Sequence, residues 1–178
     1  MADIGLYSVL GALGVAWVLF PFFFPVGGIW KREGDNEHIQ FEQFGPVVSG
    51  KRSIDGGNHM YSGFQIFWWL RLKRRDYGFP ALIAQGFPEV IAKKINGSIV
   101  ARLTLRRASR DRLVGSFTPM RIQFDGPTAQ VLGRHYEASQ PRAFDRTNLA
   151  ELPAAKVEVK RTQLPPPPPQ TKKKKNTF

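Results

Sequence analysis

The chain has 178 residues, 26 Lys and Arg against 14 Asp and Glu, a formal net charge of +12 and no cysteine. The length allows one core-forming domain of roughly a hundred residues besides its terminal segments. The missing thiol excludes disulfides, a cysteine nucleophile and thiolate metal ligation, and the charge favours anionic partners: phospholipid head groups, nucleic acid or an acidic protein face.

Residues 1–30 form the first unit. Ile4–Trp30 holds no charged residue, and its stretch from Ile4 to Phe24 meets the roughly 20 apolar residues needed to cross a bilayer. Gly5, Gly11 and Gly14 are at home in membrane helices, while Pro21 and Pro25 fall late enough to kink or end the helix without harming its middle. Tyr7 and Trp30 lie near the two expected interfaces, with Trp17 deeper. Ala12 and Ala16 make a weak small-residue pair for helix contact. A cleaved signal peptide would need a positive leader. Here Asp3 is the charged side chain before the run, and Lys31 and Arg32 follow it. That asymmetry predicts a retained single-pass membrane anchor with the N-terminus outside and the following domain in the cytoplasm.

Residues 31–150 read as a soluble antiparallel β domain. After a polar linker, KREGDNEH, Ile39 and Phe41 alternate with polar neighbours; PVVSGKR follows, and SIDGGNH is a turn. In QIFWWLRLKRRDYG the alternation sets Ile66, Trp68, Leu70 and Leu72 on one face and Phe67, Trp69, Arg71 and Lys73 on the other, the period of a strand. EVIAKKI and SIVARLTL flank Asn96–Gly97, a strong hairpin signal. Pairing around it puts Val90, Ala92, Ile99, Ala101 and Leu103 on one face and Arg102, Thr104 and Arg106 on the other. ASRDR makes the next turn, and LVGSFTP and MRIQF give two more short strands. About eight strands at this spacing predict an all-β fold, a small antiparallel barrel or sandwich, with no amphipathic helix between Lys31 and Phe124. The fragments Gly28–Ile29–Trp30 and Val48–Ser49–Gly50 resemble small lipocalin-like barrels, and no family is assigned on them. After Asp125 the alternation fades; loops are expected there, with one short helix near Asn148–Leu152. Residues 151–178 are low-complexity, with a polyproline run and a lysine run, and are expected to be a disordered tail.

Gly45–Lys51 (GPVVSGK) matches the letters of a phosphate-binding loop. Arg52 stands where Ser or Thr would ligate magnesium, and SIDGGNH cannot open the helix that would hold the phosphate. Asn96–Gly97–Ser98 fits a glycosylation acceptor, but the same letters make a turn. His38, His59 and His135 lack metal-ligand spacing, and no serine has a nucleophile-elbow context. No catalytic, cofactor or metal constellation emerges.

What remains is a set of contact devices. Arg71, Lys73, Arg74 and Arg75 form one basic cluster, and Arg102, Arg106, Arg107, Arg110 and Arg112 form another. On adjacent strands they would build one positive face beside Phe67 and Trp69, suited to an anionic leaflet. Nucleic acid is the weaker partner. Lys172, Lys173, Lys174 and Lys175 are candidate contacts to acidic lipid or protein. Pro165, Pro166, Pro167, Pro168 and Pro169 are a candidate ligand for a polyproline-binding partner. The expected function is a non-enzymatic, membrane-anchored adaptor or accessory subunit of a membrane protein assembly. The alternative is a barrel that binds a small apolar or lipid-like ligand, with Trp68, Leu70 and Leu103 lining its interior.

Overall fold

The computed structural model describes residues 3–125 and 130–152, the side chains of residues 3–6 and 8 excepted. The segment Pro165–Pro169, the lysines Lys172–Lys175 and all but the first two residues of the expected tail lie outside the described residues. In chain order the elements are α1 (Asp3–Phe23), β1 (Gly28–Arg32), β2 (His38–Phe44), β3 (Val47–Ile54), β4 (Gly57–Ile66), β5 (Trp69–Tyr77), α2 (Phe79–Ala84), α3 (Glu89–Ile95), β6 (Ile99–Ser109), β7 (Arg112–Asp125), β8 (Gln130–Tyr136) and β9 (Gln140–Arg146). Strands β1 to β6 pair in sequence. β6 then pairs with β7, β7 with β9 and β9 with β1, closing an eight-stranded antiparallel barrel; β8 adds to the far half of β7. Closure removes the sheet edges that a chain with this many short strands would otherwise expose.

Inward side chains alternate as a barrel requires. Val26, Trp30, Ile39, Phe41, Val48, Tyr61, Leu70, Leu72, Leu103, Leu105, Leu113 and Phe144 form the main core. Gly50 faces Phe41 in this packing: a Cβ there would lie 2.6 Å from Phe41 Cδ1. One end of the barrel is closed by the β2–β3, β4–β5 and β6–β7 turns and by the segment entering from α1. The other end is a mouth formed by the β1–β2 and β3–β4 turns and the β5–β6 connection.

That connection corrects two sequence expectations. EVIAKKI is not a strand but the helix α3. Pro88 precedes it, Glu89 opens it, Lys93 and Lys94 end it, and Lys93 Nζ donates to Glu89 Oε1 at 2.8 Å one turn away, the charge order a helix favours. Its buried Ile91, Ala92 and Ile95, with Leu82 of α2 and Ile122 of β7, make a second small core. Val90, expected inside, is exposed. Asn96–Gly97 still turns the chain, but as the centre of a type II turn between α3 and β6. Asn96 has φ −55° and ψ 125°, Gly97 has φ +72°, and Ser98 N–H donates to Ile95 O at 2.8 Å.

Three further expectations change. QIFWWLRLKRRDYG is not one strand: Phe67 and Trp68 form the β4–β5 turn, Phe67 with φ +49°. Trp68 is therefore outside and does not line the interior, whereas Leu70 and Leu103 do. LVGSFTP and MRIQF are a single 14-residue strand, β7. The segment after Asp125, expected as loops, supplies β8 and the barrel-closing β9, and Asn148–Leu152 is not helical.

Candidate functional site

Apolar surface is concentrated at the closed end. Exposed large side chains run along α1, among them Tyr7, Val9, Leu10, Leu13, Val15, Val18, Leu19, Phe22 and Phe23. Among the described residues no helix is long and apolar enough to cross a membrane. The end of α1 packs against the barrel. Trp17 Nε1 donates to the Gln65 carbonyl at 2.9 Å. Phe20 meets Trp68 edge-on at 4.8 Å and Phe24 lies 4.9 Å from the same ring. Gln65, fully buried, donates to the Phe24 and Phe67 carbonyls at 3.2 and 3.0 Å and accepts from Gln43 Nε2 at 2.6 Å. Gln43 in turn accepts the Val26 N–H at 2.7 Å. The end of α1 is thereby bolted to the barrel, and the helix before Trp17 amounts to about 21 Å.

The strand register arranges the outer wall in bands. Nearest α1, Phe44, Val47 and Phe64 are cross-strand neighbours, as are Ile66 and Trp69. All five are exposed, Phe44 to 89%. The rows are completed on β5 and β6 by Arg71 and Arg106, the latter opposite Trp69. One row further from α1, Lys73 pairs with Arg102; beyond it Lys51 pairs with Met60 and Met60 with Arg75. Arg71, Lys73, Arg75, Arg102 and Arg106 thus share one exposed face with Trp69, as the alternation predicts. Arg74 and Arg107 leave that face. Arg74 points inward and clamps Asp76 through two bonds of 2.8 Å. Arg107 points to the closed end.

At the mouth, Arg32, Arg52, Arg74 and Arg142 line a cavity of about 130 Å³ with Glu37, Tyr61 and Phe117. Three of its four cations are matched by carboxylates, while Arg142 donates to the Gln140 amide oxygen and the Pro141 carbonyl. Glu37 bridges Arg32 and Arg52, Asp35 takes a second Arg32 nitrogen, and Asp76 holds Arg74. Burial raises the Tyr61 phenol above its ordinary range. His59, behind them, is brought down to about 3, first by burial and then by the charges of Arg74 and Arg52.

The closed end differs. Trp30 is wholly buried, donates from Nε1 to the Val26 carbonyl at 2.8 Å and carries the Arg146 guanidinium 4.9 Å from its ring centroid. Arg107 and Arg146 converge on one neutral acceptor, the Pro25 carbonyl, at 3.2 and 3.0 Å. Sequence reading missed this cluster because it joins residues 82 and 121 positions apart from Pro25, and Arg146 lies in a segment without alternating hydrophobicity. Set against family models, curated proteins and solved structures, the chain gives no match.

Proposed function

We propose that the protein is a membrane-attached accessory or adaptor module, seated on the bilayer by its closed end. α1 and the row Phe44, Val47, Phe64, Ile66 and Trp69 enter the lipid. Arg71, Lys73, Arg75, Arg102 and Arg106 rest on anionic head groups. The observation that carries this reading is the banding: a continuous apolar surface from α1 onto the barrel wall, bounded by exposed cations, with a tryptophan at the border. Amphipathic aromatics sit at head-group depth, and each well-placed cation adds about 1 kcal/mol on an anionic leaflet. An apolar surface of this extent on a monomer marks an interaction site.

The helix before Trp17 is shorter than the roughly 30 Å hydrocarbon core, so depth is gained only with the aromatic row immersed as well. The basic barrel then belongs on the cytoplasmic leaflet, the side on which positive flanks are retained. The reading of the barrel as a carrier of an apolar ligand has less support, because side chains fill the interior and the space at the mouth is arginine-lined.

Flotation of the full chain with vesicles tests the proposal. The chain should float, and the pair Phe64→Ser and Trp69→Ser should bind at least tenfold more weakly, while brominated lipid should quench the native protein more than Trp69→Phe. Recovery of the intact chain from the soluble fraction of cells, or unchanged flotation of the serine pair, would sink it.

A further inference from the structure

Where α1 leaves the barrel lies a cleft of about 400 Å³, lined by Phe23, Phe24 and Trp68 together with Arg107, Arg110 and Arg146, the Arg107 guanidinium 5.9 Å from the Phe24 ring centroid. Its electrostatics contrast with the mouth, where three of the four arginines, Arg32, Arg52 and Arg74, have a carboxylate within hydrogen-bond distance. Here Arg107 donates to the carbonyls of Pro25, Ser109 and Arg110, all neutral. Arg146 Nη2 donates to the same Pro25 carbonyl, while its Nε is buried with no hydrogen-bond partner. The nearest carboxylate oxygen, on Asp111, is 3.7 Å from that Nε, an ion pair beyond hydrogen-bond reach. Two guanidiniums thus share one carbonyl and one loosely placed carboxylate. Such a pair repels itself unless an anion joins it. Burial, and then the charge of Arg146, lowers the Arg107 pKa, with Asp111 acting in the opposite direction.

We infer that this cleft binds the phosphate diester of an anionic phospholipid, with the phosphate on Arg107, Arg110 and Arg146 and the acyl chains along Phe23, Phe24 and Trp68. Guanidinium forks match phosphate oxygens in pairs. The apolar wall continues directly into the exposed surface of α1, where acyl chains would run. A free phosphate ion would leave that wall unused. The inference rests on the membrane reading above, and it adds a specific lipid to a general surface.

The test uses the full chain in a maltoside detergent, titrated with dihexanoylphosphatidylglycerol below its micelle concentration and followed by calorimetry and native mass spectrometry. Dihexanoylphosphatidylglycerol should bind saturably at one site, dihexanoylphosphatidylcholine and inorganic phosphate each at least tenfold more weakly. Arg107→Gln should weaken the anionic lipid about tenfold, the scale of one charge-assisted bond. Arg121→Gln, an equal loss of charge on the far half of β7, away from both the cleft and the basic face, should not. Arg110→Gln serves as a second cleft variant, since its side chain holds no buried position. Equal binding of the two lipids, competition by phosphate as strong as by the anionic lipid, or equal effects of Arg107→Gln and Arg121→Gln would each overturn the inference. Because no vesicle is involved, failure of flotation leaves this result standing or falling by itself.

Discussion

His59 is an inward residue of β4, 6% exposed, with neither ring nitrogen hydrogen-bonded and Nε2 3.5 Å from Asp76 Oδ2. The alternation of strand β4 hides it in plain sight: in sequence it stands among turn residues and reads as a surface polar group. Only closure of the barrel sets it behind Arg74 and Arg52. Its folded pKa of about 3 lies below the 6.5 of the unfolded chain. Between those two values the unfolded chain binds a proton that the folded protein refuses. Stability from this group is therefore intact above pH 6.5 and lost as pH falls toward 3, by at most about 1.4 kcal/mol per pH unit. His59→Gln cannot titrate, so its denaturation midpoint should fall less between pH 7 and pH 4.5 than that of the native protein. Parallel falls would show that His59 takes no part in acid sensitivity.

At the scale of elements, what could be read from sequence was whatever one period could carry. Leu70 and Leu72 against Trp69, Arg71 and Lys73 alternate cleanly, so β5 and its basic outer face were legible. β9 was not, because its inward positions are Arg142, Phe144 and Arg146, and two charges in three erase the apolar rhythm. α3 was misread because seven residues rich in β-branched side chains fit a strand as well as two helical turns; the packing of Ile91 and Ile95 into the second core decides between them. The joint between α1 and the barrel was equally hidden, since its key residue, Gln65, looks like an ordinary polar position on a strand. Gln65→Leu keeps the volume but removes the acceptor of Gln43 Nε2 and the donors to the Phe24 and Phe67 carbonyls. The loss should be about 2–4 kcal/mol, several buried polar groups being left short of partners. Urea denaturation in detergent measures it, and amide exchange around Trp17 and Phe20 should quicken, since the same network holds the end of α1. A change under 1 kcal/mol with unaltered exchange would mean that aromatic contacts alone hold the joint.

For the whole molecule, the division of labour between its two surface bands makes a separable claim. Apolar insertion is indifferent to lipid charge, whereas the cationic rows respond to it, within a Debye length of about 10 Å at 0.1 M salt. Neutralising Lys73, Arg75 and Arg102 together, each to Gln, removes three exposed cations and leaves the barrel interior and the aromatic row untouched. At about 1 kcal/mol per cation near an anionic surface, partitioning onto vesicles rich in phosphatidylglycerol should drop by roughly 100-fold. Partitioning onto phosphatidylcholine should stay within a factor of two or so of the native protein. Raising the salt should carry the native protein toward the variant's affinity, and no further, because the apolar contribution persists. Flotation across a salt series on both lipids reads all of this at once. Equal losses on charged and neutral vesicles would mean that the substitutions disturb the wall itself. No loss on either would mean that the basic rows face a protein partner, with the lipid contact confined to α1 and the aromatic band.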